Sequence, residues 1–390
     1  MNAPRDLLGY GRKWQHMSDL LYERMGIVGT GLIGGSLGMA AMASGAVGKV
    51  LGSDADPSML AKALELGAVE EAYEDLEEMV TLCDLVVVAV PVRAIPGVLE
   101  RIAPALRAGA TVSDVGSVKE GVVKAAAGIL PSRCHFVGGH PLTGSEQRGV
   151  EFAHPDLFRE AYYVLTPTGD CDAAAYSRLH ALITSLGARV IAMEPRLHDR
   201  AVSVVSHVPH ILAMALMNLA LRRAEEYPLL RLAAGGFRDV TRIAASDPRL
   251  WLDILAENRD AVGETLSEVV ENLQHINDLL ARGREAELFS WLERASSGRR
   301  NLAPALRESL GEMYILSLPV EDRPGVISEV TLTVGDLGIN IDDLELVHPL
   351  ESGQGILRLS ITGEEEARRA AEALRARGYR VTVGKAVGER

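Results

Sequence analysis

The chain reads as an α/β doubly wound domain, followed by an all-α region and a small βαββαβ sandwich. Three observations predict this. Near-continuous Val/Ile/Leu runs alternate with helix-compatible segments up to about Pro195, and runs without polar alternation fit a parallel sheet covered on both faces. From about Arg196 to Leu292 long helical patterns replace any strand signal. Beyond residue 312, short strands and two helical patterns follow in the order βαββαβ. The expected division is an extension over 1–24, domains over 25–195, 196–294 and 313–390, and a linker over 295–312.

In the first domain the strands fall at residues 25–28, 47–51, 85–90, 111–115, 135–137, 162–165 and 190–192, with helices such as 58–66 and 173–186 between them. The first strand runs into Gly29-Thr30-Gly31-Leu32-Ile33-Gly34. In such a turn the first glycine permits a sharp bend and the second leaves the backbone open to a diphosphate. The third lets the helix sit close on the sheet, its N-terminal N–H groups aimed at the phosphate. The next strand ends at Ser53-Asp54, twenty residues beyond Gly34, where an acidic side chain accepts hydrogen bonds from an adenosine ribose. This points to a dinucleotide site built from Gly29, Gly31, Leu32, Ile33, Gly34 and Asp54. Asp54 would repel a 2′-phosphate, and Ala55-Asp56-Pro57-Ser58 supplies no cation, so NAD is favoured over NADP.

In the second domain residues 197–223 form one helical pattern with Pro209 inside it, which predicts a kink. Ser246-Asp247-Pro248 reads as a cap with proline in the first turn, opening a helix to about Ala281. A helical appendix of this kind commonly forms a dimer core. Ser-Ser-Gly-Arg-Arg-Asn at 296–301 and Pro304 read as a linker. In the last domain, strands are expected at 314–320, 339–347, 356–361 and 380–383, with helices at 324–337 and 364–377.

Composition narrows the function. Hydrophobic content of 47% and charged content of 24% describe a globular protein with ample core residues, and no unbroken apolar run reaches the roughly 18 residues of a membrane span. A net charge of −13 counts against nucleic acid or an anionic membrane as partner, so an anionic substrate needs a local cluster of cations. Cys83, Cys134 and Cys171 are scattered, without disulfide or metal-ligand spacing, and read as thiols of a reducing, cytoplasmic compartment. Residues 1–24 carry Arg5, Arg12, Lys13 and Arg24 but no apolar stretch, reading as a short helix or as a lead-in to a start at Met25. No lysine lies between Lys124 and Lys385.

Four polar clusters are candidates for chemistry. Asp114-Val115-Gly116-Ser117 ends one sheet strand, and Gly138-Gly139-His140-Pro141-Leu142-Thr143-Gly144-Ser145 follows the next on the same edge, where doubly wound folds bind ligands. Ser206 and His210 lie one helical turn apart, and Arg238, Asp239 and Arg242 share a face if helical. Each has a plainer reading: Ser117 as a helix cap, His140 and His210 as satisfied structural histidines, the arginines as a solvated face. Together they supply a neutral base and two cations near a nicotinamide, which suits oxidation of an anionic alcohol.

The combination resembles the prephenate dehydrogenases that carry a C-terminal ACT domain. The matching motifs are Val28-Gly29-Thr30-Gly31-Leu32-Ile33-Gly34-Gly35-Ser36, Asp114-Val115-Gly116-Ser117-Val118-Lys119, Gly138-Gly139-His140-Pro141, Val204-Val205-Ser206-His207-Val208-Pro209-His210 and Gly235-Gly236-Phe237-Arg238-Asp239-Val240-Thr241-Arg242-Ile243-Ala244, and similarity runs from about Met25 to Val383. The resemblance implies a Rossmann-type domain, an all-α dimerisation domain in a homodimer, and a ferredoxin-like ACT domain. It also implies oxidative decarboxylation of prephenate by NAD to 4-hydroxyphenylpyruvate on the route to tyrosine. By resemblance His140 takes the hydrogen bond of the ring hydroxyl and Ser117 bridges the two. Arg242 holds a carboxylate, with Arg238 as the alternative cation, while Ser206, His210 and Ser145 line the pocket. Asp322, Gly325 and Asn340 resemble an ACT effector edge, implying L-tyrosine as feedback inhibitor, with a purely structural pairing module as the alternative.

Arogenate dehydrogenases share the scaffold, and no residue separates a keto from an amino side chain. A β-hydroxyacid dehydrogenase would need a lysine in its helical domain, where this chain has none. A non-catalytic NAD-sensing regulator would have no use for His140 and Ser117 together. A 24-residue leader is too short for a fused chorismate mutase. Neither metal nor lysine is required, because loss of the ring carboxylate is driven by aromatisation.

Overall fold

The computed structural model describes residues 20–143, 147, 149–223, 229–308, 313–321, 323, 325–341, 343–347 and 354–385. Ser145 and Asp322, both expected at ligand sites, lie outside these residues. The chain divides into two compact units, Met1–Glu271 and Asn272–Arg390, and the division falls within the helix Arg259–Ala281.

The first unit is built on eight strands: β1 (Tyr22–Val28), β2 (Val47–Ser53), β3 (Glu71–Ala72), β4 (Leu85–Val88), β5 (Thr111–Asp114), β6 (His135–Pro141), β7 (Tyr162–Thr166) and β8 (Arg189–Ala192). Their order is β3-β2-β1-β4-β5-β6-β7-β8. Successive side chains of a strand point to opposite faces, and here both faces are buried. Ile27 and Val87 pack under Leu37, Leu179 and Ile183 on one side, while Val28, Val86 and Val88 pack under Met79, Leu99 and Val122 on the other. That is why the strands read as unbroken apolar runs.

Two departures from the expected sheet matter. β1 starts at Tyr22 rather than Met25, with Tyr22 fully buried opposite Val47 and Arg178 stacked 4.4 Å over its ring. The sheet is also not wholly parallel. β6 pairs parallel with β5 through residues 135–137, then antiparallel with β7 through 138–141. His140 therefore lies on a strand, opposite Val164, and not beyond one that ends at Val137.

In the helical part, Pro195–Val202, a π-turn at Ser203–His207 and Val208–Arg223 follow one another without a break. Pro209 has no N–H to give to residue 205, and the predicted kink takes the form of this widened turn. By length and composition the stretch Pro195–Arg223 is long and apolar enough to cross a membrane, contrary to the expectation that none is, because isolated polar residues interrupt the run without lowering its average. Its Val204, Val205, Leu212, Leu216 and Leu219 are exposed in the single chain. The helix expected over 248–281 is two: Pro248–Glu257, capped by Asp247 through the N–H groups of Arg249 and Leu250, and Arg259–Ala281, separated at Asn258.

The second unit carries the helix Glu285–Glu308, so residues 295–308, read as linker, are helical, with Arg300 bonded to Ser296 one turn back. Beyond it, β9 (Met313–Glu321), β10 (Asp343–Val347), β11 (Gln354–Thr362) and β12 (Thr382–Lys385) form an antiparallel sheet in the order β10-β11-β9-β12. The helices Val326–Gly335 and Glu364–Ala376 bury Val330, Val334, Ala370 and Leu374 against Leu316, Leu318 and Leu359. This is the expected ferredoxin-like βαββαβ arrangement.

Candidate active site

The strands β1, β4, β5 and β6 run parallel, so their C-terminal ends form one edge. At the end of β1 the chain turns through Gly29 at φ +93°, into the helix Leu32–Ser44. A Cβ on Gly29 would lie 2.5 Å from the Ala89 carbonyl oxygen, and one on Gly34 would lie 2.0 Å from that of Gly29, so the turn and the close helix–sheet approach both need glycine. Gly31 instead faces open space, and the helix N-terminus has neither a side-chain cap nor an acidic residue in its first turn. Its N–H groups are free to meet an anion. Asp54, directly after β2, accepts from the Thr30 N–H at 2.7 Å and hydroxyl at 3.1 Å, and from the Asp56 N–H at 2.9 Å. Its carboxylate thus stands beside the same turn.

Further along the edge, Asp114 closes β5, wholly buried. It accepts from the N–H groups of Gly116 at 2.8 Å and Gly139 at 3.2 Å, and pairs with the Lys119 ammonium. Lys119, also fully buried, donates to the Gly139 carbonyl at 2.7 Å. Burial pulls its pKa down, against the opposing pull of Asp114 and Asp199. This ion pair ties the β5 turn to β6 next to His140. A Cβ on Gly139 would sit 2.6 Å from the Asp114 carbonyl oxygen and one on Gly138 would run into the Thr166 hydroxyl, which explains the double glycine ahead of the histidine. Ser117 is half-buried in the turn after β5. It does not cap the helix Glu120–Ile129; the N–H groups of Lys119 and Glu120 go instead to Asp199.

His140 is half-buried, and its Nδ1 lies 2.8 Å from His198 Nε2. His198 Nδ1 in turn meets the Asp199 carboxylate at 2.7 Å. Burial, reinforced by His198, Lys119 and His207, holds the His140 pKa well below the usual imidazole range, so the ring is neutral at physiological pH. Asn258 reaches from the break between its two helices to the Asp199 carbonyl at 2.9 Å and to His207 Nδ1 at 3.0 Å. Burial lowers the His207 pKa to about 4. Trp251 lies edge-on to His207 and stacks on His210 with centroids 3.5 Å apart. His210 also meets the Ser206 carbonyl at 3.3 Å and the Ser246 hydroxyl at 3.2 Å, its pKa lowered by burial and by the nearby charge of Arg242.

A continuous run of contacts therefore links His140 on the sheet to His210 and the Ser206 carbonyl on the helices, with the charge of Arg242 near His210. Arg238 lies in the helix Gly235–Thr241, and Arg242 begins the short turn that follows. Both are exposed, and among the described residues neither forms an ion pair. Sequence reasoning gave no role to Lys119 and His207, though both stand in the quoted motifs, and passed over His198, Asp199, Trp251 and Asn258. The available signal was His198-Asp199, an imidazole and a carboxylate adjacent on the helix that follows the last strand.

The fold and this edge define a class: a nucleotide-binding oxidoreductase whose helical part completes a site begun on the sheet. Residues 37–192 match the profile of the prephenate dehydrogenase nucleotide-binding domain, 194–294 that of the prephenate dehydrogenase dimerization domain, and 314–378 that of the ACT domain. A prephenate dehydrogenase of Bacillus subtilis (strain 168) is 35% identical over 353 residues, covering 90% of this chain and 95% of that protein. The chain belongs to the prephenate dehydrogenase family. A cyclohexadienyl dehydrogenase of Zymomonas mobilis is 33% identical over 263 residues, 67% of this chain and 89% of its own. The crystal structure of prephenate dehydrogenase from A. aeolicus in complex with hydroxyphenyl propionate and NAD+ aligns with a TM-score of 0.68 at 35% identity, over 72% of this chain and 98% of that one. Synechocystis arogenate dehydrogenase gives 0.63 at 30%, over 71% and 98%.

Proposed function

We propose that the protein is an NAD-dependent dehydrogenase converting prephenate to 4-hydroxyphenylpyruvate and carbon dioxide. The observation that carries this is a neutral histidine, His140, on the same sheet edge as the glycine turn, joined by contacts to His210, near which lies the charge of Arg242. The open face of Gly31, the uncapped helix N-terminus and the Asp54 carboxylate suit the diphosphate and ribose of NAD, held by Gly29, Gly31, Leu32, Ile33, Gly34 and Asp54. Bound there, the nicotinamide supplies the hydride acceptor.

His140 takes the proton of the ring hydroxyl as hydride leaves the carbon that bears it. Carbon dioxide then departs, its bonding pair stays in the ring, and His140 returns the proton to the phenolic oxygen. Arg242 holds a substrate carboxylate with charge-assisted bonds, Arg238 adds positive potential, and Ser117, Ser206, His210 and Ser145 shape the pocket. The functional division follows 25–195 for cofactor, 196–294 for substrate and dimer, and 313–390 for regulation. The exposed apolar face around Val204, Val205 and Leu212 suits burial in a cytoplasmic homodimer.

The direct test is NADH formation with prephenate and with arogenate, side by side. Turnover of prephenate is expected, and none with either substrate would end the reading. Faster turnover of arogenate would favour the second reading, toward which the Synechocystis relative points. In the C-terminal unit, Gly325 at φ +88° opens the helix Val326–Gly335, an arrangement suited to an amino-acid carboxylate, with Asn340 nearby in sequence and Asp322 as the expected partner of its ammonium group. L-tyrosine is the expected effector. Truncation after Ala303 should leave an active enzyme that tyrosine no longer inhibits; unchanged inhibition would place tyrosine at the catalytic pocket.

A further inference from the structure

We infer that His198 and Asp199 are positioning residues that fix His140 as the Nδ1–H tautomer, so that its Nε2 lone pair faces the reacting hydroxyl. The inference rests on the reading of His140 as the base, and it says how that base is kept ready.

The argument starts at Asp199, buried at the start of the helical part. Its Oδ1 lies 2.7 Å from the Lys119 nitrogen and its Oδ2 lies 2.8 Å from the Glu120 nitrogen. Backbone N–H groups only donate, so both carboxylate oxygens are held as acceptors. The 2.7 Å contact from His198 Nδ1 to Oδ1 must then be an Nδ1–H donating to the carboxylate. A neutral His198 consequently has a bare Nε2. That atom stands 2.8 Å from His140 Nδ1, so the proton in this second contact belongs to His140. A neutral His140 protonated on Nδ1 has its lone pair on Nε2. Geometry and donor inventory assign both tautomers without any reference to hydrogen positions.

The neighbours favour a neutral His140. The charge of Asp199 is already met by two backbone N–H groups, and the Lys119 ammonium beside His140, paired with Asp114, makes a second buried cation costly. On the helical side, His207 faces Asn258 and Trp251, and Asn258 holds the Asp199 backbone in place through its carbonyl. When His140 accepts the hydroxyl proton on Nε2, its new charge lies two hydrogen bonds from the Asp199 carboxylate. No proton has to leave Nδ1, and returning the Nε2 proton to the phenolic oxygen restores the starting tautomer.

The test compares four variants by steady-state kinetics with prephenate and NAD. In Asp199→Asn one amide oxygen stands where Lys119 N–H and Glu120 N–H bond to two different oxygens, so one of these N–H groups faces the amide NH2 and the carboxylate that pins His198 Nδ1–H is gone. The tautomer of His198, and with it that of His140, is then no longer fixed. kcat should fall by about two to four orders of magnitude, the range for a mis-set catalytic tautomer, with KM for prephenate within about threefold. His198→Leu should behave alike, and His198→Gln, whose side-chain oxygen can accept from His140 Nδ1, should recover at least about tenfold over leucine. His140→Asn is the control for the base itself. If it turns over like wild type, the functional reading fails. If it is inactive while the His198 and Asp199 variants keep wild-type kcat, only the positioning inference fails. A measurement on the unaltered enzyme stands apart from folding of the variants: nitrogen-15 shifts of labelled histidines should report Nδ1–H for both His140 and His198, and an Nε2–H signal from His140 would overturn the assignment.

Discussion

Replacing Asp54 by asparagine should convert a cofactor preference into near indifference while leaving the fold intact. Asp54 makes its bonds to Thr30 through one oxygen and to the Asp56 N–H through the other. Thr30 is fully buried, so its N–H must keep an acceptor. An alanine would strand it at a cost of about 1–3 kcal/mol, whereas the asparagine oxygen can still accept at 2.7 Å and loses only the exposed Asp56 contact. Loss of stability for Asp54→Asn should therefore stay under about 1 kcal/mol, a few degrees in melting temperature. The electrostatic change is larger. A 2′-phosphate carries up to about two charges, and at about 5 Å from a carboxylate the repulsion is about 2 kcal/mol in a water-like dielectric and about 7 at an effective value of 20. Removing it should shift the ratio of kcat/KM for NAD over NADP toward unity by at least about tenfold. Efficiency with NAD itself should drop about tenfold as the charged ribose acceptor is lost. Initial rates of reduced-cofactor formation with each dinucleotide, at fixed ionic strength, measure the ratio. A folded variant whose ratio moves less than about twofold would refute the assignment of Asp54 to the ribose.

Arg242→Ala should raise KM for prephenate by about tenfold or more with a smaller change in kcat, and an unchanged KM would transfer the carboxylate contact to Arg238. Lys119→Met leaves the Asp114 carboxylate buried without its cation, and equilibrium unfolding in urea should record a loss of about 3–5 kcal/mol; a loss under about 1 would mean Asp114 is sustained by the Gly116 and Gly139 N–H groups alone. His207, with its pKa lowered to about 4, resists protonation in the folded state, so the unfolded chain binds more protons between about pH 6.5 and 4 and stability falls with falling pH across that window. The contribution is about 3 kcal/mol at full extent, with His140 adding to it in the same sense. His207→Gln, which keeps an acceptor for Asn258, should flatten the difference in melting temperature between neutral and mildly acidic buffer; an unaltered difference would assign the effect to other groups.

What could be read in the sequence was local. The glycine turn was legible because Gly29 answers a local positive φ and Gly34 the carbonyl of Gly29 five residues back, and Asp247-Pro248 announced its helix for the same local reason. The apolar runs revealed the sheet because both faces are buried. The reversal of direction at β7 left no mark, since a strand buried on both faces has the same composition whichever way it runs. The network behind His140 was also illegible: Lys119 and Glu120 find Asp199 eighty and seventy-nine residues away, and Asn258 reaches back fifty-nine. Asn258 looked like an interior position of a long helix. It is the break, and its side chain performs the task that interrupts the periodicity.

The carboxylate of Asp199 has a consequence for how this protein can be cut and how it can move. One residue of the second sequence domain seals the N-terminus of the helix Glu120–Ile129, an element of the first. A fragment ending near Met193 would expose those two N–H groups and take away the contacts of His198 with His140. The cofactor-binding half is thus not an independent part to which a substrate half was appended. The seam between them is stitched at His140, so any motion that parts them has to break the His198 and Asp199 contacts or hinge somewhere else.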